Sequence, residues 1–169
     1  GLPYVEDVES ASYPPCIGMS GMRILNESGQ SLFSSRYCVE TENYPKMMGM
    51  TMKEGRMARE RNEAVVNETF AKTMRWGDDV VGRIVHQGNT GLGDLRVVGV
   101  LKDFHTASFY VSQQPLIVRC GRFGGSIHVR LKEPFAENLR RLNTEAATAF
   151  PTKTVDFYSL EFEMQDAYG

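Results

Sequence analysis

Asp103 and His105 are the residues whose types and closeness in sequence could do acid–base chemistry. A carboxylate that orients an imidazole can support proton transfer to a substrate. These two residues follow a buried-type strand, however, where side chains two positions apart share a face without being directed at each other. We therefore interpret His105 as a hydrogen-bonded loop residue and predict no catalytic residue. A hydrolytic enzyme that uses Asp103 and His105 is the weaker alternative.

Four methionines lie close together and raise the question of a soft metal ion: Met47, Met48, Met50 and Met52. Thioether sulfur suits Cu(I), but no histidine or cysteine stands within a few residues to complete a ligand set. Methionine also fills irregular cores, which we take as the role of these four. The cysteines, Cys16, Cys38 and Cys120, are odd in number and lack Cys-x-x-Cys spacing, so we predict no zinc site. One disulfide with a free thiol and three buried thiols both stay open.

Residues 87–94 contain three glycines, at positions 88, 91 and 93. Their order does not match Gly-x-Gly-x-x-Gly, no Gly-Lys-Ser/Thr follows, and the segment lies between two predicted strands instead of opening a helix. We interpret it as a hairpin loop. The sequence thus predicts no bound nucleotide, no metal and no cofactor.

The composition excludes two further classes of function. The 169 residues carry 19 basic and 21 acidic side chains with no block of like charge, which argues against a nucleic-acid groove or a polybasic membrane patch. No apolar run reaches the roughly 18 residues that a membrane span needs. We expect one folded domain or two small lobes.

Apolar periodicity and turn residues predict the elements that position these side chains. The predicted strands or extended segments are 22–25, 31–41, 51–56, 64–66, 78–85, 96–101, 116–120, 126–131 and 155–160. Helical segments are predicted at 43–50, 68–76 and 135–149, and 57–63 is predicted to be an exposed loop. Asn67 is placed to cap the second helix, Gly82 to form a bulge or close approach in strand 78–85, and Gly99 to form one inside the buried strand. The fold class is α+β, with the two chain ends in one lobe and the middle in another.

Five segments in order resemble the MacB-like periplasmic core domain of FtsX-type ABC transporter permeases. They are the segment from Tyr44 through Gly49 to Gly55-Arg56; Ala-Val-Val-Asn-Glu-Thr-Phe-Ala at 64–71, with Asn67, Glu68 and Ala71; 79–84 with Gly82; Val-Val-Gly-Val-Leu-Lys-Asp-Phe-His at 97–105, with Gly99, Asp103, Phe104 and His105; and Gln114-Pro115. Their ordered combination is specific and spans about residues 5–160. Asp79-Val80 stands where the family often has a proline.

The resemblance implies a two-lobed α+β fold, with a porter-like α/β lobe from residues 1–30 and 122–169 and an inserted, mainly β lobe from 31–121. It implies a non-catalytic domain on the periplasmic side of the bacterial inner membrane, between two transmembrane helices that lie beyond Gly1 and Tyr168. The motif residues would be structural. Expected partners are those transmembrane helices, a cytoplasmic ATP-binding subunit or domain, and a periplasmic or outer-membrane protein. The alternative is a periplasmic ligand-binding or sensing domain, or an activator of a cell-wall hydrolase.

Overall fold

The computed structural model describes residues 1–11, 20–47, 49–103, 114–121 and 126–157. Strands dominate this part of the chain, which confirms the α+β class. The strands are β1 Val5–Ala11, β2 Ser20–Leu25, β3 Ser31–Glu40, β4 Met52–Gly55, β5 Glu63–Asn67, β6 Ile84–Gln87, β7 Leu95–Leu101, β8 Leu116–Cys120 and β9 Ser126–Leu131. The helices are α1 Tyr44–Met47, α2 Glu68–Thr73 and α3 Phe135–Ala149.

The chain divides into a terminal unit, Gly1–Val8 with His128–Gly169, and an inserted unit, Glu9–Ile127. The first boundary therefore differs from the predicted lobe boundary at residue 30. The reason is strand pairing, because β2 makes its backbone hydrogen bonds to β3 and β6 of the inserted unit. Hydrophobic patterning located β2 correctly but could not say which strands it would join.

Six strands of the inserted unit pair in a closed ring. β2 pairs with β3, β3 with β8, β8 with β5, β5 with β7, β7 with β6, and β6 again with β2. The pairs β3–β8 and β5–β7 are parallel and the other four are antiparallel. Closure leaves these six strands with paired edges, which protects them from adding a foreign strand. β4 attaches to β7 outside the ring.

The ring encloses the main hydrophobic core of the inserted unit. Its buried members come from β2, β5, β6, β7, β8, α2 and the turn at Val80, and include Met22, Ile24, Val66, Phe70, Val85, Val97 and Ile117. β3 contributes the partly buried Phe33 and Tyr37. Phe70 of α2 packs edge-on to Phe33, with ring centroids 5.4 Å apart, so the helix fills the space that the strands leave. A second cluster forms on the other face of β3, β5, β7 and β8, and it contains Cys38, Met57, Ala58, Val65 and Val118.

The terminal unit is organised around α3. Its buried face consists of Asn138, Leu142 and Ala146, whereas Phe135 at its first position is exposed. The hydroxyl of Tyr4 donates to Glu145 at 2.8 Å, and burial together with this hydrogen bond raises the pKa of Tyr4. These contacts fasten the start of the chain to the helix.

Three predicted elements need correction. Residues 78–83 form turns instead of the first part of a strand, and β6 begins only at Ile84. Residues 155–157 are not a strand, because the backbone of Phe157 makes both of its hydrogen bonds with the Asn143 side chain, at 2.7 and 2.9 Å. The remainder of that predicted strand lies outside the described residues. The segment 57–63 is an exposed loop only at residues 59–62, since Met57, Ala58 and Glu63 are buried.

Candidate functional site

Gly55 of β4 and Gly99 of β7 lie opposite each other, and the two backbones pass unusually close. A Cβ atom on Gly55 would stand 2.1 Å from the carbonyl oxygen of Val98, and one on Gly99 would stand 2.2 Å from that of Arg56. Gly55 also has a φ of +72°, in the left-handed region that favours glycine. The predicted close approach at Gly99 is present, and its partner is Gly55.

Glu63, at the start of β5, lies next to this close approach of Gly55 and Gly99, and its carboxylate accepts five hydrogen bonds. Arg56 donates from Nη1 to Oε1 at 2.9 Å and from Nη2 to Oε2 at 2.5 Å, and Arg96 Nη2 donates to Oε2 at 3.1 Å. The backbone N–H groups of Arg59 and Glu60 each donate to Oε1 at 3.0 Å. The side chain of Glu63 is only 2% exposed. Chiefly because of the Arg56 hydrogen bonds, its pKa is well below the ordinary glutamate value, so the carboxylate is ionised.

Asn67 connects the start of α2 to the start of β8. Its Oδ1 accepts from the backbone N–H of Phe70 at 2.8 Å and from that of Leu116 at 3.0 Å, while Nδ2 donates to the carbonyl of Gln114 at 2.9 Å. The predicted N-cap is confirmed. The carbonyl of Pro115 accepts from the Arg36 N–H at 2.9 Å, which starts the parallel pairing of β3 and β8.

Glu68 and Asp103 fasten α2 to the end of β7 by reciprocal hydrogen bonds. Glu68 Oε1 accepts from the Asp103 N–H at 3.0 Å, and Asp103 accepts from the N–H and the hydroxyl of Thr69 at 3.1 and 2.7 Å. The Asp103 N–H is the main cause of the lowered pKa of Glu68, and Lys53, 3.3 Å from Oε2, adds to it. Both carboxylates thus serve to hold backbone in place. His105 and Phe104 lie outside the described residues, so the acid–base alternative stays a prediction.

The other two motif residues have local roles. Ala71 is buried in the core of the ring, where α2 approaches the strands. Gly82 has a φ of +96° and open space where a Cβ would be, so it is not a close approach. Its N–H donates to the carbonyl of Val97 at 2.8 Å, and the Val97 N–H donates to the carbonyl of Arg83 at 2.8 Å. Gly82 and Arg83 thus together oppose Val97, which is the pattern of a β-bulge with glycine at its first position. This position favours glycine because of its positive φ alone.

Several functional-group residues were not singled out from the sequence: Glu63, Thr69, Arg96, Glu40, Tyr37 and Arg119. Cys38 was considered only as one of the three cysteines. The apolar pair Met57-Ala58 was the available signal that the segment leading to Glu63 is buried. For Thr69, Arg96, Tyr37 and Arg119 the sequence holds no local signal, because their partners lie at least 33 positions away. Cys38 and Glu40 are close in sequence, and strand alternation predicts that they share a face. Alternation does not predict, however, that both side chains are buried.

Glu40 is a second buried glutamate, with a very different environment. The Cys38 thiol donates to Oε1 at 3.2 Å, and Oε2 has no hydrogen-bond partner among the described residues. Burial raises the pKa of Glu40 to about 7 and raises that of the Cys38 thiol well above its ordinary value. Near neutral pH this carboxyl group is therefore protonated in a substantial fraction of molecules.

The described residues contain no group of three or more histidine, cysteine, aspartate or glutamate side chains placed to hold a metal ion. Met50 and Met52 pack against the cluster around Cys38 and Met57, and Met47 is buried beside Tyr44. Met48 lies outside the described residues. The three described methionines therefore occupy core positions, in agreement with the core-filling interpretation.

Comparison with solved structures places this fold among the extracytoplasmic domains of transporters. The periplasmic region of MacB from Actinobacillus actinomycetemcomitans matches with a TM-score of 0.69 and 18% identity over 99% of this chain and 78% of that one. A domain from a Porphyromonas gingivalis protein described as a permease matches with a TM-score of 0.63 and 18% identity, over 88% of this chain and 71% of that one. The extracellular domain of the ABC-type transporter YknZ from Gram-positive bacteria matches with a TM-score of 0.57 and 14% identity, over 87% and 79%.

The family itself is shown by sequence. Residues 2–141 match the model of the MacB-like periplasmic core domain, and the chain belongs to that family. None of the curated proteins matches it. Within the described residues, no helix has both the length and the apolar character needed to cross a membrane.

Proposed function

We propose that this chain is the non-catalytic extracytoplasmic domain of an FtsX-type ABC transporter permease, and that it transmits motion driven by a separate cytoplasmic ATPase to a substrate or a periplasmic partner. The observation that carries the proposal is the family match over residues 2–141. The domain would stand on the periplasmic side of the inner membrane, joined to the transmembrane helices of the same permease. Export or extraction of a substrate is the process that the motion would serve.

The use of the motif residues supports a mechanical role. Four motif residues make their hydrogen bonds with the protein's own backbone and side chains: Arg56, Asn67, Glu68 and Asp103. Gly55 and Gly99 allow the backbones of β4 and β7 to approach closely. Such contacts make the inserted unit stiff, and packed units move as rigid bodies instead of deforming continuously. A stiff unit transmits a displacement from one end to the other.

The glycine-rich loop 87–94 gives no support to an ATPase in this chain. It joins the antiparallel strands β6 and β7 and is held by its own polar side chains. The Gln87 side chain accepts from the N–H of Thr90 at 3.0 Å and donates to the carbonyl of Gly93 at 3.0 Å. A phosphate-binding loop instead presents free backbone N–H groups at the start of a helix.

The proposal is tested in the full-length permease together with its ATPase, reconstituted in lipid vesicles. Asn67→Ala removes the connection between α2 and β8, whereas Lys72→Ala changes an exposed residue of the same helix. We expect Asn67→Ala to lower the amount of substrate moved per ATP hydrolysed, with ATP hydrolysis itself retained. Lys72→Ala should behave as the unmodified protein.

Calorimetric titration of ATP into the 169-residue chain complements that assay. We expect no saturable heat, because nucleotide would bind to the separate ATPase. Saturable ATP binding to the chain would refute the proposed role. Unchanged transport per ATP in the Asn67→Ala permease would also refute it, provided that the substitution measurably destabilises the domain.

A further inference from the structure

Arg119 of β8 lies at one end of the six-strand ring. Ile117, two residues earlier on the same face, is completely buried in the enclosed core, so alternation directs Arg119 toward the ring interior as well. Its Nη1 donates to the hydroxyl oxygen of Tyr37 at 3.2 Å, and Tyr37 packs against that core. Its Nε donates to the carbonyl oxygen of Arg61, just before β5, at 3.1 Å. The residue is only 8% exposed.

Among the described residues, no ion pair compensates this guanidinium. No described carboxylate forms an ion pair with Arg119, in contrast to Arg56 and Arg96, which share Glu63. The parts of the inserted unit that the structure does not describe are residues 12–19, 48, 104–113 and 122–125, and none of them contains an aspartate or glutamate. A buried charge without a partner is strongly unfavourable, and arginine cannot relieve it by releasing its proton.

Hydrogen-bond donors remain available at the same place. A guanidinium carries five N–H donors, and only two of those of Arg119 have acceptors among the described residues. The Tyr37 hydroxyl uses its oxygen to accept from Arg119, which leaves its own O–H free to donate. A planar guanidinium beside a phenolic O–H suits an oxyanion, because both oxygens of such a group can be engaged at once.

We propose that Arg119 and Tyr37 form a binding site for an oxyanion, the carboxylate or phosphate group of a ligand or partner, at this end of the ring. The anion supplies the compensating charge that no ion pair among the described residues provides. The ends of closed strand rings are common positions for ligand sites, since the strands hold the polar groups rigidly around a concave opening. This assignment is independent of the transport role proposed above.

Thermal unfolding of the 169-residue chain at constant ionic strength tests the site, with acetate, succinate or phosphate replacing chloride stepwise. We expect a saturable rise of the midpoint temperature, because a ligand that binds only the folded state stabilises it. In Arg119→Met the anion concentration for half of the effect should increase at least about tenfold. Saturation by acetate and succinate alone identifies a carboxylate ligand, and saturation by phosphate alone a phosphate ligand; either result supports the site.

Three further variants separate binding from general salt effects and from misfolding. Arg140→Met removes the same charge from an exposed position of α3 and should keep the saturable response. Tyr37→Phe removes one donor and should weaken the response by a few-fold, and Arg119→Lys keeps the charge without the planar fork. An unsaturable rise that is equal in the unmodified chain, Arg119→Met and Arg140→Met would be an excluded-solute effect and would overturn the proposal, as would no rise at all.

Discussion

The inserted unit buries two glutamates, Glu63 and Glu40, whose hydrogen bonding differs and whose pKa values are shifted in opposite directions. Glu63, near the close approach of Gly55 and Gly99, accepts five hydrogen bonds, three of them from arginine side chains. Glu40, at the end of β3, receives one hydrogen bond from a thiol and leaves Oε2 without a partner among the described residues. The first is held ionised and the second has a pKa of about 7.

The difference shows that burial alone does not decide what a carboxyl group contributes. Donors that favour the charged form make Glu63 a fastening between Arg56, Arg96 and the turn before β5. Without such donors, Glu40 can remain buried only by keeping its proton near neutral pH. Gly55-Arg56, one of the segments that resemble the family in sequence, belongs to the first region.

Gly55→Ala should have the largest effect, because it disrupts the close approach of the Gly55 and Gly99 backbones next to Glu63. The new Cβ would overlap the carbonyl oxygen of Val98, and we expect a loss of at least about 4 kcal/mol in the free energy of unfolding, measured by urea denaturation. Gly29→Ala is the matched control, since Gly29 also has a positive φ but has open space around it. It should cost only about 1 kcal/mol. Equal losses for the two variants would refute the role of the close approach.

Glu63→Gln tests the ionised partner itself. The amide keeps one acceptor and places a donor against Arg56, so we expect a loss of about 2 to 3 kcal/mol in the free energy of unfolding at pH 7. Glu60→Gln changes an exposed neighbour and should alter the free energy by less than about 0.5 kcal/mol. Because the pKa of Glu63 is lowered on folding, its contribution is present above pH 4.5 and is lost as the pH falls toward the folded-state value. The Glu63→Gln variant should lack that acid dependence.

Glu40→Gln should reveal the opposite sign. The folded protein holds the Glu40 proton more tightly than the unfolded chain does, so Glu40 lowers stability progressively as the pH rises from about 4.5 to about 7. We expect this loss to reach about 2 to 3 kcal/mol, and we expect Glu40→Gln to remove it from a series of urea denaturations between pH 5 and pH 8. At pH 8 the variant should be more stable than the unmodified chain. An unchanged pH profile would show that Glu40 is not buried as a neutral acid.

Arg96→Met should have the smallest effect. It tests a division of the side-chain donors of Glu63 into Arg56, which contributes more to stability, and Arg96, which contributes less. The Arg96 side chain is 54% exposed and donates one hydrogen bond, at 3.1 Å, whereas Arg56 donates two. We expect a loss of about 0.5 kcal/mol or less in the free energy of unfolding, measured by thermal or urea denaturation, and a larger loss for Arg56→Met. A larger loss for Arg96→Met than for Arg56→Met would reverse this division.

The sequence by itself was sufficient for the local structure of the inserted unit. The predicted strands 22–25 and 31–41 form the antiparallel pair β2 and β3, Asn67 caps α2, and residues 95–101 form a buried strand. These features depend on residues within a few positions of one another, such as an Asn before a helix or a short run of branched side chains, so their signals are local. The ordered motifs also identified the family, because several local signals occur together at fixed separations.

Only the tertiary structure decided how those elements combine. The strand 78–85 was overestimated because Val80 and Val81 read as strand residues, although Val80 is buried from a turn against the ring core. The burial of Glu63 and of Arg119 depends on strands that are distant in sequence and meet only when the ring closes. Hydrogen bonding between strands is set by register and partner choice, which local patterns do not encode, so burial of a charged side chain becomes visible only in the folded chain.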